Sequence, residues 1–143
     1  MKIRDVMTST VIPIAPEENL EVAARTLAHY NIGALPVCGA NGRLCGLITD
    51  RDIVIRCLAS GRLVRETAVR DVMSGSVTCA APDMEVDEAA KLMANHQIRR
   101  LPVLEDGKLC GMVSLGDLAK REKTAEKAAN ALSCISSNVQ RRK

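Results

Sequence analysis

The chain has 143 residues, a net charge of +3, 47% hydrophobic and 26% charged residues, and neither Phe nor Trp. That length supports one domain with a proper core, and the balance is ordinary for a soluble globular protein. Tyr30 is the single aromatic residue, so the chain lacks the ring platforms on which single-stranded nucleic acid stacks, and its charge is too small for a phosphate-backbone binder.

No apolar run is long enough to span a bilayer, and Met1-Lys2-Ile3-Arg4-Asp5 lacks the apolar stretch of a signal peptide. These features predict a cytoplasmic protein with neither nucleic acid nor membrane as partner. Cys38, Cys45, Cys57, Cys79, Cys110 and Cys134 fit such a compartment as reduced thiols. None forms a C-x-x-C pair, so a zinc site has no local signature.

In chain order, Thr10 to Ile14 is β-branched, bounded by Pro13 and Pro16, and predicts a short strand. Pro16-Glu17-Glu18 suits the first turn of a helix, with the acids at its positive end. Leu20, Ala23, Ala24 and Leu27 then fall at i, i+3, i+4, i+7 and give one apolar face. Ala34 to Cys38 and Leu44 to Thr49 are apolar runs of strand length around Ala40-Asn41-Gly42, a hairpin signal. Arg51 to Ser60 predicts a closing helix, stopped by Gly61.

The same order then returns. Asp5-Val6-Met7 recurs as Asp71-Val72-Met73, and Leu35-Pro36-Val37 as Leu101-Pro102-Val103. Beyond the hairpin turn the offset drops by one residue, and Leu44-Cys45-Gly46 recurs as Leu109-Cys110-Gly111. The second turn is Asp106-Gly107. A three-residue loop in the first copy, with Gly42 left-handed, keeps both copies in register. A repeat of this length sets the architecture: residues 1–61 as the first repeat, 62–70 as a linker, 71–121 as the second repeat, and 122–143 as a tail. The tail is expected to form a marginal helix over 122–133 and to be mostly disordered over 134–143.

Each copy therefore reads β-α-β-β-α, an α+β (α/β-like) class. Two pseudo-symmetric units, packed sheet against sheet or interlocked, bury what neither can bury alone. Partly apolar outer helix faces predict a homodimer.

The chemistry concentrates where the third strand of each copy ends. Gly46-Leu47-Ile48-Thr49-Asp50-Arg51-Asp52 answers Gly111-Met112-Val113-Ser114-Leu115-Gly116-Asp117. Both read Gly, two apolar residues, Thr or Ser, two residues, Asp. The hydroxyl sits where a strand becomes a helix, beside free backbone N–H groups that favour an anion. The Asp lies one turn further and can accept hydrogen bonds from two ribose hydroxyls. The same spacing is also that of a capping box, a purely structural device. An asymmetry precedes the Leu-Pro-Val strands: Gly33-Ala34 in one copy, Arg99-Arg100 in the other. The arginines can hold a phosphate with a bidentate fork, or be a solvated pair. His29 and His96 read as rim residues.

On the repeated Asp-Val-Met segments, the Leu-Pro-Val strands and the two Gly-x-x-Thr/Ser-x-x-Asp ends, the stretch from about Arg4 to Arg121 resembles a tandem pair of cystathionine-β-synthase-type (CBS) domains, a Bateman module. The first copy is similar to stand-alone bacterial stress-associated members. The resemblance implies a non-catalytic regulatory unit with two clefts for adenosine-containing ligands such as AMP, ATP or S-adenosylmethionine, with no cofactor required. It implies phosphate contacts at Thr49 and Ser114, ribose contacts at Asp52 and Asp117, and adenine-edge readers in the first strands near Val11-Ile12 and Val77-Thr78. Ala34, Arg99 and Arg100 complete the expected ligand-binding set. The output would pass to a protein partner that the sequence does not identify.

A different reading is a cysteine-based redox or structural interaction protein, because Cys38 and Cys45 flank a turn. An enzyme is disfavoured: no nucleophile–base pair, metal triad or Walker A loop is present.

Overall fold

The computed structural model describes residues 1–120 and 125–141. Two compact units account for the chain, and they do not follow the sequence repeats. One comprises Ile12–Val77 with Gly107–Leu109; the other joins Met1–Val11 to Thr78–Asp106 and the chain from Cys110 on. Each is an antiparallel hairpin covered by helices, a mixture of helix and strand as the sequence predicts.

In the unit built on residues 12–77, helix α1 (Leu20–Tyr30) precedes strands β1 (Ala34–Cys38) and β2 (Leu44–Thr49), and α2 (Asp50–Asp52) continues as a π-helix over Ile53–Leu58. The first helix starts later than Pro16. The Asn19 side chain accepts from the Val22 N–H at 3.0 Å and fixes the N-terminus at Leu20, leaving Pro16 in a turn. Asn31, at φ 52°, ends it. The expected strand over Thr10–Ile14 is reduced to one parallel bridge, Ile14 to Val37. The next bonds of a parallel ladder would need N–H donors at Pro16 on one side of Ile14 and at Pro36 on the other, and neither proline has one, so the ladder stops at a single bridge.

The hairpin forms as the turn residues require. Gly42 is left-handed at φ 79°, and Gly39 N–H donates to the Arg43 carbonyl at 3.0 Å, closing a three-residue loop. Val37 pairs with Gly46 but Cys38 with Leu44, so Cys45 is a bulge outside the register.

Residues 62–70 are built into this unit. Val69 is fully buried and Thr67 nearly so, with Thr67 Oγ1 donating to the Leu63 carbonyl at 2.7 Å. Val72 joins the same core as Leu20, Leu27, Leu35 and Ile48. Ser74 then makes a two-way backbone bond with Leu47, each at 3.0 Å. The second Asp-Val-Met segment thus packs against the first hairpin.

The other unit mirrors this. Helix α3 (Val86–His96), strands β3 (Arg100–Glu105) and β4 (Lys108–Ser114), and helix α4 (Leu115–Ala119) follow in order. Here the turn is the two-residue Asp106-Gly107, with φ 55° and 78°. The expected first strand is again a single bridge, Ala80 to Val103. The chain's own N-terminus supplies the outer segment: Ile3 is fully buried with Met93, Leu101 and Val113, and Thr8 bonds both ways to Met112. Lys2 and the N-terminal amine pair with Glu85 at 2.8 and 3.3 Å.

The tail differs most from expectation. Helix α5 (Ala125–Arg141) continues through the stretch expected to be disordered. Ala128, Ala131 and Ile135, at i, i+3, i+7, are buried in the core of this unit and hold it. Residues 122–124 and 142–143 of that expectation lie outside the described residues.

Candidate functional site

The two strand-end corners are nearly superposable in their bonding. Thr49 N–H donates to Asp52 Oδ2 at 2.9 Å, and the Asp52 N–H donates to Thr49 Oγ1 at 3.1 Å. Ser114 N–H donates to Asp117 Oδ2 at 2.8 Å, and the Asp117 N–H donates to Ser114 Oγ at 3.1 Å. Both are complete capping boxes. The box uses the hydroxyl as an acceptor and leaves its O–H donor capacity to be directed elsewhere; it engages one of two carboxylate oxygens. The structural and ligand-binding readings of these residues are therefore compatible.

Ala34 lies opposite Thr49 in the β1–β2 ladder, which puts the start of one strand beside the hydroxyl at the end of the other. The Asp50 N–H donates to the Gly33 carbonyl at 3.1 Å, and in the second copy the Leu115 N–H donates to the Arg99 carbonyl at 2.8 Å. Residues 33–34 and 99–100 are thus tied to the helix starts. Arg99, Arg100 and Ser114 line one cavity of about 540 Å³, with Gly116 at the start of α4 and Ala128 and Leu132 of α5 on its wall. Asp117 is not among its lining residues. Val11, Ile12, Val77 and Thr78 are half-buried, just ahead of the bridges at Ile14 and Ala80.

One residue was not singled out from the sequence. Arg56 Nη1 donates to the Val72 carbonyl at 3.1 Å, and its Nε lies 3.8 Å from Asp52 Oδ1. It follows Asp52 by one helical turn, and that i, i+4 spacing was the available signal. Arg56 links the corner of the first hairpin to the Asp-Val-Met segment packed on it.

The repeated glycines have a steric cause. A Cβ on Gly46 would sit 2.5 Å from the Ser74 carbonyl oxygen, and one on Gly111 2.6 Å from Met7 Sδ and 3.0 Å from the Thr8 carbonyl oxygen. The outer segments cross the strands at these points, and only glycine admits them.

All six cysteines are thiols. Cys57, fully buried, acts as a small core residue. Burial pushes the Cys38 thiol up, with neighbouring Cys45 adding to it; burial does the same at Cys79, and at Cys110 with help from Glu105. Raised thiols hold less of the reactive thiolate. Among the described residues no cluster of His, Cys, Asp or Glu is suited to a metal ion, and no helix is long and apolar enough to cross a membrane. His29 and His96 are exposed at helix ends.

Comparison with known proteins agrees with the duplicated geometry. The CBS domain model matches twice, over residues 3–58 and 69–123. The chain is 42% identical over 134 residues to the CBS domain-containing protein YhcV of Bacillus subtilis, covering 94% of each. It is 36% identical over 117 residues to hypoxic response protein 1 of Mycobacterium tuberculosis, covering 82% of each. A crystal structure of Hypoxic Response Protein I with two coordinated zinc ions matches with a TM-score of 0.79 at 34% identity, over 85% of this chain and 98% of that one. The CBS domain pair of protein MJ0100, in complex with 5′-methylthioadenosine and S-adenosyl-L-methionine, matches with a TM-score of 0.76 at 27% identity, over 84% and 94%. The chain belongs to the CBS domain family and carries two such domains in tandem.

Proposed function

We propose that this CBS pair is a non-catalytic regulatory module that binds adenosine-containing ligands at its two strand-end corners. The observation that carries this reading is the repetition of one bonding pattern, to within about 0.1 Å, by different residue pairs: Thr49 with Asp52 and Ser114 with Asp117. The complex of the MJ0100 pair with two adenosyl compounds supports the ligand class. In this reading the Thr49 and Ser114 hydroxyls donate to the charged or polar end of the ligand. The free capacity of Asp52 and Asp117 takes ribose hydroxyls, and the backbone near Val11-Ile12 and Val77-Thr78 reads the adenine edge.

The corners differ in charge. Arg99 and Arg100 line the cavity beside Ser114, whereas the corresponding positions beside Thr49 are Gly33 and Ala34. A phosphorylated ligand, AMP or ATP, is therefore assigned to the second corner. The first corner suits a ligand with less negative charge, such as S-adenosylmethionine. The module works in the cytoplasm as a homodimer and passes its state to a protein partner.

Titration calorimetry of the whole chain with AMP, ATP and S-adenosylmethionine tests this. Binding of at least one is expected; absence of heat with all three overturns the reading. Unchanged AMP affinity in an Arg99→Ala/Arg100→Ala variant overturns the assignment of the phosphate.

A further inference from the structure

Helix α5 belongs to two surfaces at once. On one face Ala128, Ala131 and Ile135 enter the core with Ala90, Met93 and Leu118. On the adjoining face Ala128, Ala129 and Leu132 stand in the wall of the cavity of about 540 Å³ that also holds Arg99, Arg100 and Ser114. Leu132 is 42% exposed and takes no place in the core. Its apolar side chain faces the cavity instead.

The seat of α5 is thin. Two alanines and one isoleucine make its buried stripe. The Lys127–Asp87 pair is 40% and 59% exposed, where an ion pair contributes little. Cys134 Sγ, a weak donor, reaches the Ala94 carbonyl only at 3.7 Å. Alanine removes little surface from water on burial, and a helix in a folded chain gains most of its stability from such packing. Docked and undocked α5 are therefore close in free energy, and a modest interaction moves the balance.

The cavity supplies that interaction and gives it a sign. Arg99 is exposed and Arg100 half-buried, and neither has a carboxylate partner among the described residues. Docking α5 lays alanine and leucine side chains beside them and takes water from two adjacent positive charges. Without an anion that loss is uncompensated. With a phosphate held by the guanidiniums, the same apolar wall lowers the local dielectric and strengthens the charge pair.

The second repeat departs from the first in two ways at one place. Arg99-Arg100 stands where the first has Gly33-Ala34, and α5 follows the closing helix. After the closing helix of the first repeat the chain instead runs through 62–70 against α1, with the Leu20 N–H donating to the Thr67 carbonyl at 3.0 Å. The repeat that carries the arginines is the one that carries a helix beside them.

We infer that α5 is a responsive wall of the phosphate site: an organic phosphate held by Arg99 and Arg100 fastens α5 to the second repeat, and a docked α5 tightens the phosphate. The two effects are one coupling and are equal in size. This rests on the assignment of a phosphorylated ligand to the second corner, and it makes α5 the element that reports occupancy there.

Hydrogen exchange of residues 125–136 in the full chain, with and without saturating AMP, tests one direction. Calorimetry with AMP on Ile135→Ala tests the other. Ile135 anchors α5 in the core and does not line the cavity, so a wall without coupling would leave AMP affinity unchanged in that variant. Protection of 125–136 should rise by about tenfold with AMP, and Ile135→Ala should weaken AMP by about five- to fiftyfold. Ile135→Leu, which keeps the anchor, should restore most of the affinity. Leu132→Ala, outside the core, should weaken AMP by about threefold or more, and it carries the same test should Ile135→Ala fail to fold. Equal protection of α5 with and without AMP, or AMP affinity unchanged in folded Ile135→Ala and Leu132→Ala, overturns the coupling and leaves the phosphate assignment standing. Unchanged AMP affinity in Arg99→Ala/Arg100→Ala, or a wild type that gives no heat with AMP or ATP, overturns both.

Discussion

The steric role of Gly46 can be tested by a single methyl group. In Gly46→Ala the new Cβ would stand 2.5 Å from the Ser74 carbonyl oxygen and 2.9 Å from Met73 Sδ. The methionine can move, but the carbonyl cannot easily do so. Ser74 is held by the paired backbone bonds to Leu47, at 3.0 Å in each direction, and Val72 just before it is in the core. Relief requires either strand β2 or the 72–74 segment to shift by about half an ångström or more. Inserting a methyl into such a contact costs about 1–3 kcal/mol, and loss of the two backbone bonds would add about 1 kcal/mol each. With both bonds lost the expected destabilisation is about 3–5 kcal/mol, or roughly 10–20 °C in melting temperature for a chain of this size. Gly75→Ala is the control: nothing lies within 4 Å of its Cβ and its φ is not positive, so its change should stay within about 0.5 kcal/mol. Urea unfolding followed by circular dichroism measures both. If Gly46→Ala is as stable as Gly75→Ala, the crossing of the 72–74 segment over β2 is wrong.

Three further outcomes are expected. Asp52→Asn and Asp117→Asn keep an oxygen to accept the cap N–H but lose the charge, so each should weaken adenosyl binding at its own corner by about ten- to a hundredfold with little loss of fold, as read by calorimetry. Ile3→Ala removes a fully buried side chain from the unit containing α3 and should cost about 2–5 kcal/mol; hydrogen exchange should place the loss in residues 78–119 before residues 12–77. The N-terminal segment should loosen in acid. Hydrogen bonding from Lys2 and the N-terminal amine lowers the Glu85 carboxyl below its ordinary 4.5. A carboxyl depressed in the folded state contributes stability above its ordinary value, which is lost as pH falls through the lowered one. Lys2, raised by the same contact, loses its share only as pH rises through its raised value above 10.5. Amide-exchange protection of residues 2–7, taken relative to the intrinsic rate at each pH, should therefore fall below about pH 4.5, and Glu85→Gln should remove that acid dependence; an unaltered profile of protection in Glu85→Gln would count against it.

Local chemistry made much of the fold legible. Gly42 and Asp106-Gly107 determined the two hairpin loops, because few residues take positive φ cheaply, and the one-residue difference between them had to appear as a longer loop. Thr49 to Asp52 and Ser114 to Asp117 were legible as boxes because the spacing itself defines the bonds. The partnership of the Asp-Val-Met segments was not legible. A repeat of 66 residues is equally consistent with Ile3 packing on its own hairpin or on the other one; only the three-dimensional path of the connections decides, and it places Ile3 with Met93 and Val72 with Leu20. Helix α5 was underestimated for a different reason. Its buried stripe is two alanines and one isoleucine, a weak hydrophobic signal, and Ser133, Ser136 and Ser137 argue against a helix by propensity. Packing against α3 and α4 overrides that preference.

The capping boxes give the corners a property a ligand can use. A hydroxyl and a carboxylate that already bond each other's backbone N–H groups are fixed in rotamer before anything arrives, so a ligand would meet them with little side-chain entropy left to lose. At the first corner Arg56 extends this fixation, spanning Asp52 and the Val72 carbonyl. A ligand that drew Asp52 away from Arg56 would act on the same guanidinium that holds the 72–74 segment, and that segment crosses β2 at Gly46. At the second corner Arg56 corresponds to Arg121, one turn beyond Asp117, which lies outside the described residues; Arg99 and Arg100, ahead of β3, line the cavity there. In the function proposed above, the arginines beside Ser114 would select charge, and Arg56 would couple occupancy of the first corner to the 72–74 segment.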